Sequence, residues 1–194
     1  MITNKLNIMR YLSVTSVLLL LVISVNGCNE DAAPTENSSI ENPNGVLSKG
    51  RVIHHVSLGG ADVCEAFGLP PGCDANFSLT ANEKADGSVS GQWQDTFVGG
   101  GEGIHVAIDC INIIGNGAIV GGVITHGTVG GVDVSGQYAV TAVVDNGTSA
   151  NDPPDQMSFS FFPAIDFFGT EDCNELTLDD FPLFNLTNGQ VKVR

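Results

Sequence analysis

The chain has 194 residues, with 22 Asp and Glu against 7 Lys and Arg and a formal net charge of −15. That balance excludes recognition of nucleic acid, or of an anionic lipid surface, through a basic patch. Five Cys and 24 Gly point away from long helices and toward turns, bulges and cross-links.

Lys5 and Arg10 make the N-terminus basic, and an apolar run follows from Tyr11 to Val25. The run is short for a bilayer span, which needs about 20 apolar residues. A basic start, a short apolar stretch and a small-residue exit define an export signal over residues 1–27. The exit, Val25-Asn26-Gly27-Cys28, resembles the lipobox of bacterial lipoproteins, with Asn26 departing from the usual small residue. The resemblance implies that Cys28 is the lipid-bearing first residue of the mature protein. The expected partner is therefore a bacterial membrane, reached through the lipid, with the protein extracytoplasmic on the periplasmic face or at the cell surface. Residues 28–50 are polar and acidic with little to bury, and read as a disordered tether. Removal of the signal leaves 5 basic residues against 22 acids, a net charge of −17.

Residues 51–194 are enough for one hydrophobic core and too few for two domains. Short apolar runs recur between Gly, Asn and Asp. They predict strands at Arg51–Ser57, Asn76–Ala81, Ser88–Val98, Ile104–Ile114, Ala118–His126, Gln137–Val144, Met157–Phe162 and Gln190–Arg194, with a helical turn within Asn174–Phe184. Phe77, Leu79 and Ala81 alternate with Ser78 and Thr80, and Met157, Phe159 and Phe161 alternate with Ser158 and Ser160, so each run should bury one face. The fold class is all-β: a single antiparallel barrel or sandwich of about eight strands. Asn116-Gly117 is the expected hairpin turn between Ile104–Ile114 and Ala118–His126. Paired residue numbers then sum to 233. His105, Ala107, Asp109, Ile124 and His126 would share one face, and Ile104, Val106, Ile108, Cys110 and Val123 the core face.

With Cys28 acylated, Cys64, Cys73, Cys110 and Cys173 remain, and four cysteines allow three pairings. The preferred pairs are Cys64–Cys73, across a turn-rich segment, and Cys110–Cys173. A structural zinc site would want a Cys-x-x-Cys spacing that the chain lacks.

Five motifs occur in order: Ile108-Asp109-Cys110; Gly115-Asn116-Gly117-Ala118; Val143-Val144-Asp145-Asn146-Gly147; Pro153-Pro154-Asp155; and Asn188-Gly189-Gln190-Val191-Lys192-Val193. Their order resembles that of a group of exported bacterial β-domains without an assigned activity. The resemblance spans roughly Val52 to Val193 and implies fold and export, not a site.

Chemistry-bearing residues are few. Asp145, Asp152 and Asp155 lie in one Asn- and Pro-rich loop. They read first as turn residues bonding their own backbone and second as oxygen ligands for calcium, the one cofactor considered. Glu171-Asp172 and Asp179-Asp180 form a second acidic group. His105 and His126, on adjacent strands, are candidate ligands for a transition metal, although surface histidines without a ligand are the simpler reading. No nucleophile elbow or phosphate loop occurs, so no catalytic residue is assigned. The expected function is a non-catalytic binding or structural surface module with a protein or glycan ligand. The alternative is an extracellular hydrolase whose site does not form a motif.

Overall fold

The computed structural model describes residues 50–64, 68–70, 76–97, 101–149 and 151–194. The signal segment, Cys28, nearly all of the tether and Cys73 lie outside the described residues. Among the described residues, ten strands form one antiparallel sheet: β1 (Val52–Asp62), β2 (Asn76–Lys84), β3 (Val89–Thr96), β4 (Gly103–Ile114), β5 (Gly117–Val129), β6 (Val132–Asp133), β7 (Tyr138–Val144), β8 (Gln156–Met157), β9 (Phe184–Asn185) and β10 (Asn188–Val193). The order is β10-β1-β2-β3-β4-β5-β7-β8-β9, with β6 paired to β5. The sheet curls strongly into a half-barrel, so the all-β expectation holds.

The inner face follows from period-two alternation. Phe77, Leu79 and Ala81 on β2 and Trp93 on β3 are buried, whereas Ser78 and Thr80 are exposed. Val56, Leu58, Ile104, Val106, Ile108, Val120 and Val191 complete one contiguous core. Small residues recur in one row across the strands: Ala81 pairs with Gly91, Gly91 with Ile108, Ile108 with Gly122 and Gly122 with Ala139. A Cβ at Gly91 would overlap the Thr80 carbonyl oxygen, and one at Gly122 the carbonyl oxygen of Ala107. Glycine is needed there because neighbouring backbones approach too closely for a side chain.

The β4–β5 hairpin differs from expectation in its turn. Ile114 pairs with Gly117 and Cys110 with Gly121, so the two-residue loop is Gly115-Asn116, with Gly115 at φ 61°. Glycine supplies the positive φ that such a turn requires. A two-residue change in register keeps each side chain on its face, but two bulges do not. One extra residue lies between Ile108 and Cys110, and another between Ile124 and His126. Each reverses the alternation. Cys110 consequently leaves the inner face for the outer one, Ile124 enters the core, and Val123 becomes exposed. The reversals cancel by residue 105, so His105 and His126 do share a face.

A second apolar cluster covers the outer face of β5 and β7. Ile119, Val140 and Ala142 pack there against Ala164, Cys173, Leu176 and Phe181, with Phe161 and Phe168 beside them. The cover is built from the bridge residue Phe161, a short helix, α1 (Ala164–Phe168), and two 3-10 turns at Cys173–Glu175 and Leu178–Asp180, which Leu176 and Phe181 cap. The turns fall within or beside the predicted Asn174–Phe184 segment; α1 was not expected. The Cys110–Cys173 disulfide, closing a separation of 63 residues, pins this cover to β4. Asn112 adds two hydrogen bonds of 3.2 Å from its side-chain amide to the carbonyls of Cys173 and Leu176. Cys64 is also disulfide-bonded. With both faces covered, β7 is a continuous buried run from Ala139 to Val144, as doubly buried strands are.

The predicted strand Met157–Phe162 shrinks to the two residues of β8 plus an isolated bridge from Val140 to Phe161. Its alternation also fails, because Ser158 is buried and Phe159 is exposed. The Ser158 hydroxyl accepts from the Ala142 N–H at 2.8 Å, taking the place of a ladder carbonyl.

The sheet's two edges meet through carboxylates. β9 and β10 lie at opposite ends of the strand order, yet only Leu186 and Thr187 separate them in the chain. β10 bonds to β1 on one side. On its other side the N–H of Val191 donates to Asp155 Oδ2 at 2.7 Å, and the N–H of Val193 donates to Asp145 Oδ2 at 3.1 Å. Asp155 is only 8% exposed, and its other oxygen accepts from the Asn146 N–H at 2.8 Å. Replacing it strands buried donors, each costing about 1–3 kcal/mol. Asp155→Ala should therefore lose about 2–3 kcal/mol in urea unfolding, and the exposed Asp152→Ala much less. Equal losses would contradict the closure.

Candidate functional site

The outer faces of β2 to β5 beyond the cover are polar. Ser78 and Thr80 on β2 and Gln92 and Gln94 on β3 stand beside His105 on β4 and Thr125 and His126 on β5 around a groove of about 410 Å³. A second groove of about 530 Å³ shares both histidines and is also lined by Asp95, Glu102, Thr128, Asp133 and Ser135. The imidazoles therefore stand on the ridge between two depressions, each within the usual volume range of ligand pockets.

His105 and His126 are directly opposed across the β4–β5 ladder, and their rings stack with centroids 4.0 Å apart and planes at 20°. The bulge at Thr125 achieves this, since strict alternation after the buried Ile124 would send residue 126 inward. Thr125 Oγ1 donates to the His105 carbonyl at 3.1 Å and lies 3.4 Å from His126 Nδ1. A hydroxyl has one proton. With that proton on the carbonyl, Oγ1 accepts from Nδ1–H, which leaves Nε2 of His126 as the free lone pair.

The His105 ring is held below its ordinary pKa, first by partial removal of water and second by the charge of a protonated His126. Gln94 faces His105 from β3, and the nearby carboxylates are otherwise bonded: Glu102 accepts from the N–H groups of Gly130 and Gly131, Ser135 N–H donates to Asp133, and Ser160 Oγ donates to Asp95.

The other candidates are engaged in local structure. Asp145 accepts from the N–H groups of Gly147 and Val193, Asp152 from that of Ser149, and Asp155 from those of Asn146 and Val191. Asp172 caps the 3-10 turn at Asn174, and Asp180 accepts from both the N–H and hydroxyl of Thr177. Those bonds hold the Asp180 carboxyl below its usual range. Among the described residues, no group of three or more His, Cys, Asp or Glu is gathered to hold a metal ion. His54 and His55 pair with Glu83 and Asn82, each at 2.8 Å. Tyr138 donates to Asp109 at 2.7 Å, and burial followed by that bond pushes its hydroxyl far above its usual range.

Sequence reasoning found the histidines but missed Gln92 and Gln94. Their signal was available: they flank Trp93, so they face out wherever Trp93 faces in. Among the described residues no helix is long and apolar enough to cross a membrane. Comparison with protein-family models, with curated proteins and with solved structures gave no match.

The depressed pKa has a sign. The unfolded chain takes up the His105 proton at higher pH than the folded one, so this group's contribution to stability is present above about 6.5 and is lost as pH falls through the folded pKa. Two-dimensional NMR should find His105 titrating below an unperturbed histidine. His126→Gln should raise that pKa only part of the way, because desolvation is the larger cause. Full restoration would reverse the ranking.

Proposed function

We propose that the protein is a lipid-anchored, extracytoplasmic display module that binds its ligand through the outer face of β2 to β5. The observation that carries this reading is the groove itself. Hydroxyl, amide and imidazole groups from four hydrogen-bonded strands converge there, and side chains on rigid strands hold a binding geometry better than side chains on loops. Neutral hydrogen-bonding groups suit a hydroxyl-rich ligand such as a surface glycan. The Cys110–Cys173 disulfide is consistent with an oxidising, extracytoplasmic compartment. The signal, the lipid on Cys28 and the Cys64–Cys73 pairing belong to this reading through the sequence arguments above.

Two measurements test it. Mass spectrometry of the mature N-terminal peptide should find acylated Cys28; an unmodified thiol, or cleavage elsewhere, removes the anchor. On an array of bacterial surface glycans, the full chain in detergent should retain a ligand, and the Gln92→Ala/Gln94→Ala variant should lose it by about tenfold or more, as expected when two hydrogen bonds go. Undiminished retention by the variant rejects the groove. Release of a cleaved product would indicate the hydrolase instead.

A further inference from the structure

The ridge between the grooves is built at a structural cost. A regular β4–β5 ladder would not put two imidazoles face to face here, since the bulge at Thr125 interrupts the pairing to turn His126 outward. Bulges recur beside functional sites because they re-aim one side chain. The same bulge turns Gly127 and Val129 to the inner face, where Val129 packs against the core, and sets both histidines on the outer face.

We propose that His105 and His126 form an open, two-imidazole site for a divalent transition cation, holding Cu²⁺ more tightly than Zn²⁺. Imidazole nitrogens suit both ions, and Cu²⁺ ranks above Zn²⁺ for a given nitrogen site. The Thr125 hydroxyl supplies what metal-binding histidines usually have, an oxygen on the non-ligating nitrogen that fixes the tautomer. It leaves Nε2 of His126 for the metal. In the stack the rings lie almost parallel, so sharing a cation requires a rotation about χ2, a torsion with broad, soft wells. The second groove favours a cation electrostatically. Asp95, Glu102 and Asp133 line it, and no Lys or Arg is among the described residues around it. Two protein ligands leave the remaining positions to water or to a donor entering from either groove. This assignment is independent of the display reading and of the anchor.

The test is a Cu²⁺ titration of the full chain in detergent, followed by electron paramagnetic resonance and by competition with Zn²⁺. One tight site per chain is expected, with two nitrogen ligands in the hyperfine pattern and displacement by Zn²⁺ only in excess. His105→Gln and His126→Gln should each weaken binding by at least about tenfold, since even loss of an outer partner costs about 10–100-fold. His54→Gln/His55→Gln should leave the site intact. Nuclear magnetic resonance on the unmodified chain offers a readout that needs no variant: trace Cu²⁺ should broaden the His105 and His126 ring signals first. If the double His105/His126 variant binds like the unmodified chain, the copper is held adventitiously by the acidic surface and the proposal fails. It fails equally if neither ion binds, or if His54 and His55 broaden first.

Discussion

The half-barrel depends on how its last strand is held. A strand edge presents a row of unpaired N–H and C=O groups, and proteins cover or close such edges. Here β10 has β1 on one side, and on the other the carboxylates of Asp155 and Asp145 take the N–H groups of Val191 and Val193. Two side chains thus replace a missing neighbour strand. Asp155 also holds the chain at Asn146, so one buried carboxylate joins the β7–β8 connection to the C-terminal strand. Charged acceptors make stronger bonds than neutral ones, which suits a closure made by two contacts instead of a ladder.

A second constraint acts on the opposite face. The sheet's central strands have apolar side chains on both sides, and the segment from Phe161 to Leu183 covers the outer set. Where that cover stops, the face turns polar, and the histidine ridge stands on the uncovered part. The bulge between Ile108 and Cys110 serves this division, since it turns Cys110 outward to meet Cys173. The same strand thereby contributes to the core, the cover and the ridge.

The class of fold and the positions of the long strands were legible because alternation reports a buried face directly. Phe77, Leu79 and Ala81 behave as their spacing requires. Bulges were not legible, because an extra residue leaves no mark in hydropathy; Cys110, Val123 and Ile124 were misassigned for that reason alone. Met157 to Phe161 misled through a similar gap. Its alternation is real in sequence, but the Ser158 hydroxyl accepts a backbone hydrogen bond and is drawn inside. Asp145 and Asp155 looked like turn residues or calcium ligands, and their role in closing the sheet needed the fold to be seen. That His105 and His126 share a face was read correctly, but their direct opposition comes from the changed turn and from two bulges that cancel.

Pairing the first long strand with the last has a consequence for biogenesis. β1 begins at Val52 and β10 ends at Val193, so the ribosome makes one partner of this ladder long before the other. Until β10 is made, β1 has a bare edge, and Asp145 and Asp155 have no β10 amides to accept from. Pairings so distant in sequence form late and slowly. A chain made only as far as β9 would therefore lack both the ladder to β1 and the two carboxylate contacts, and would stay open along that edge.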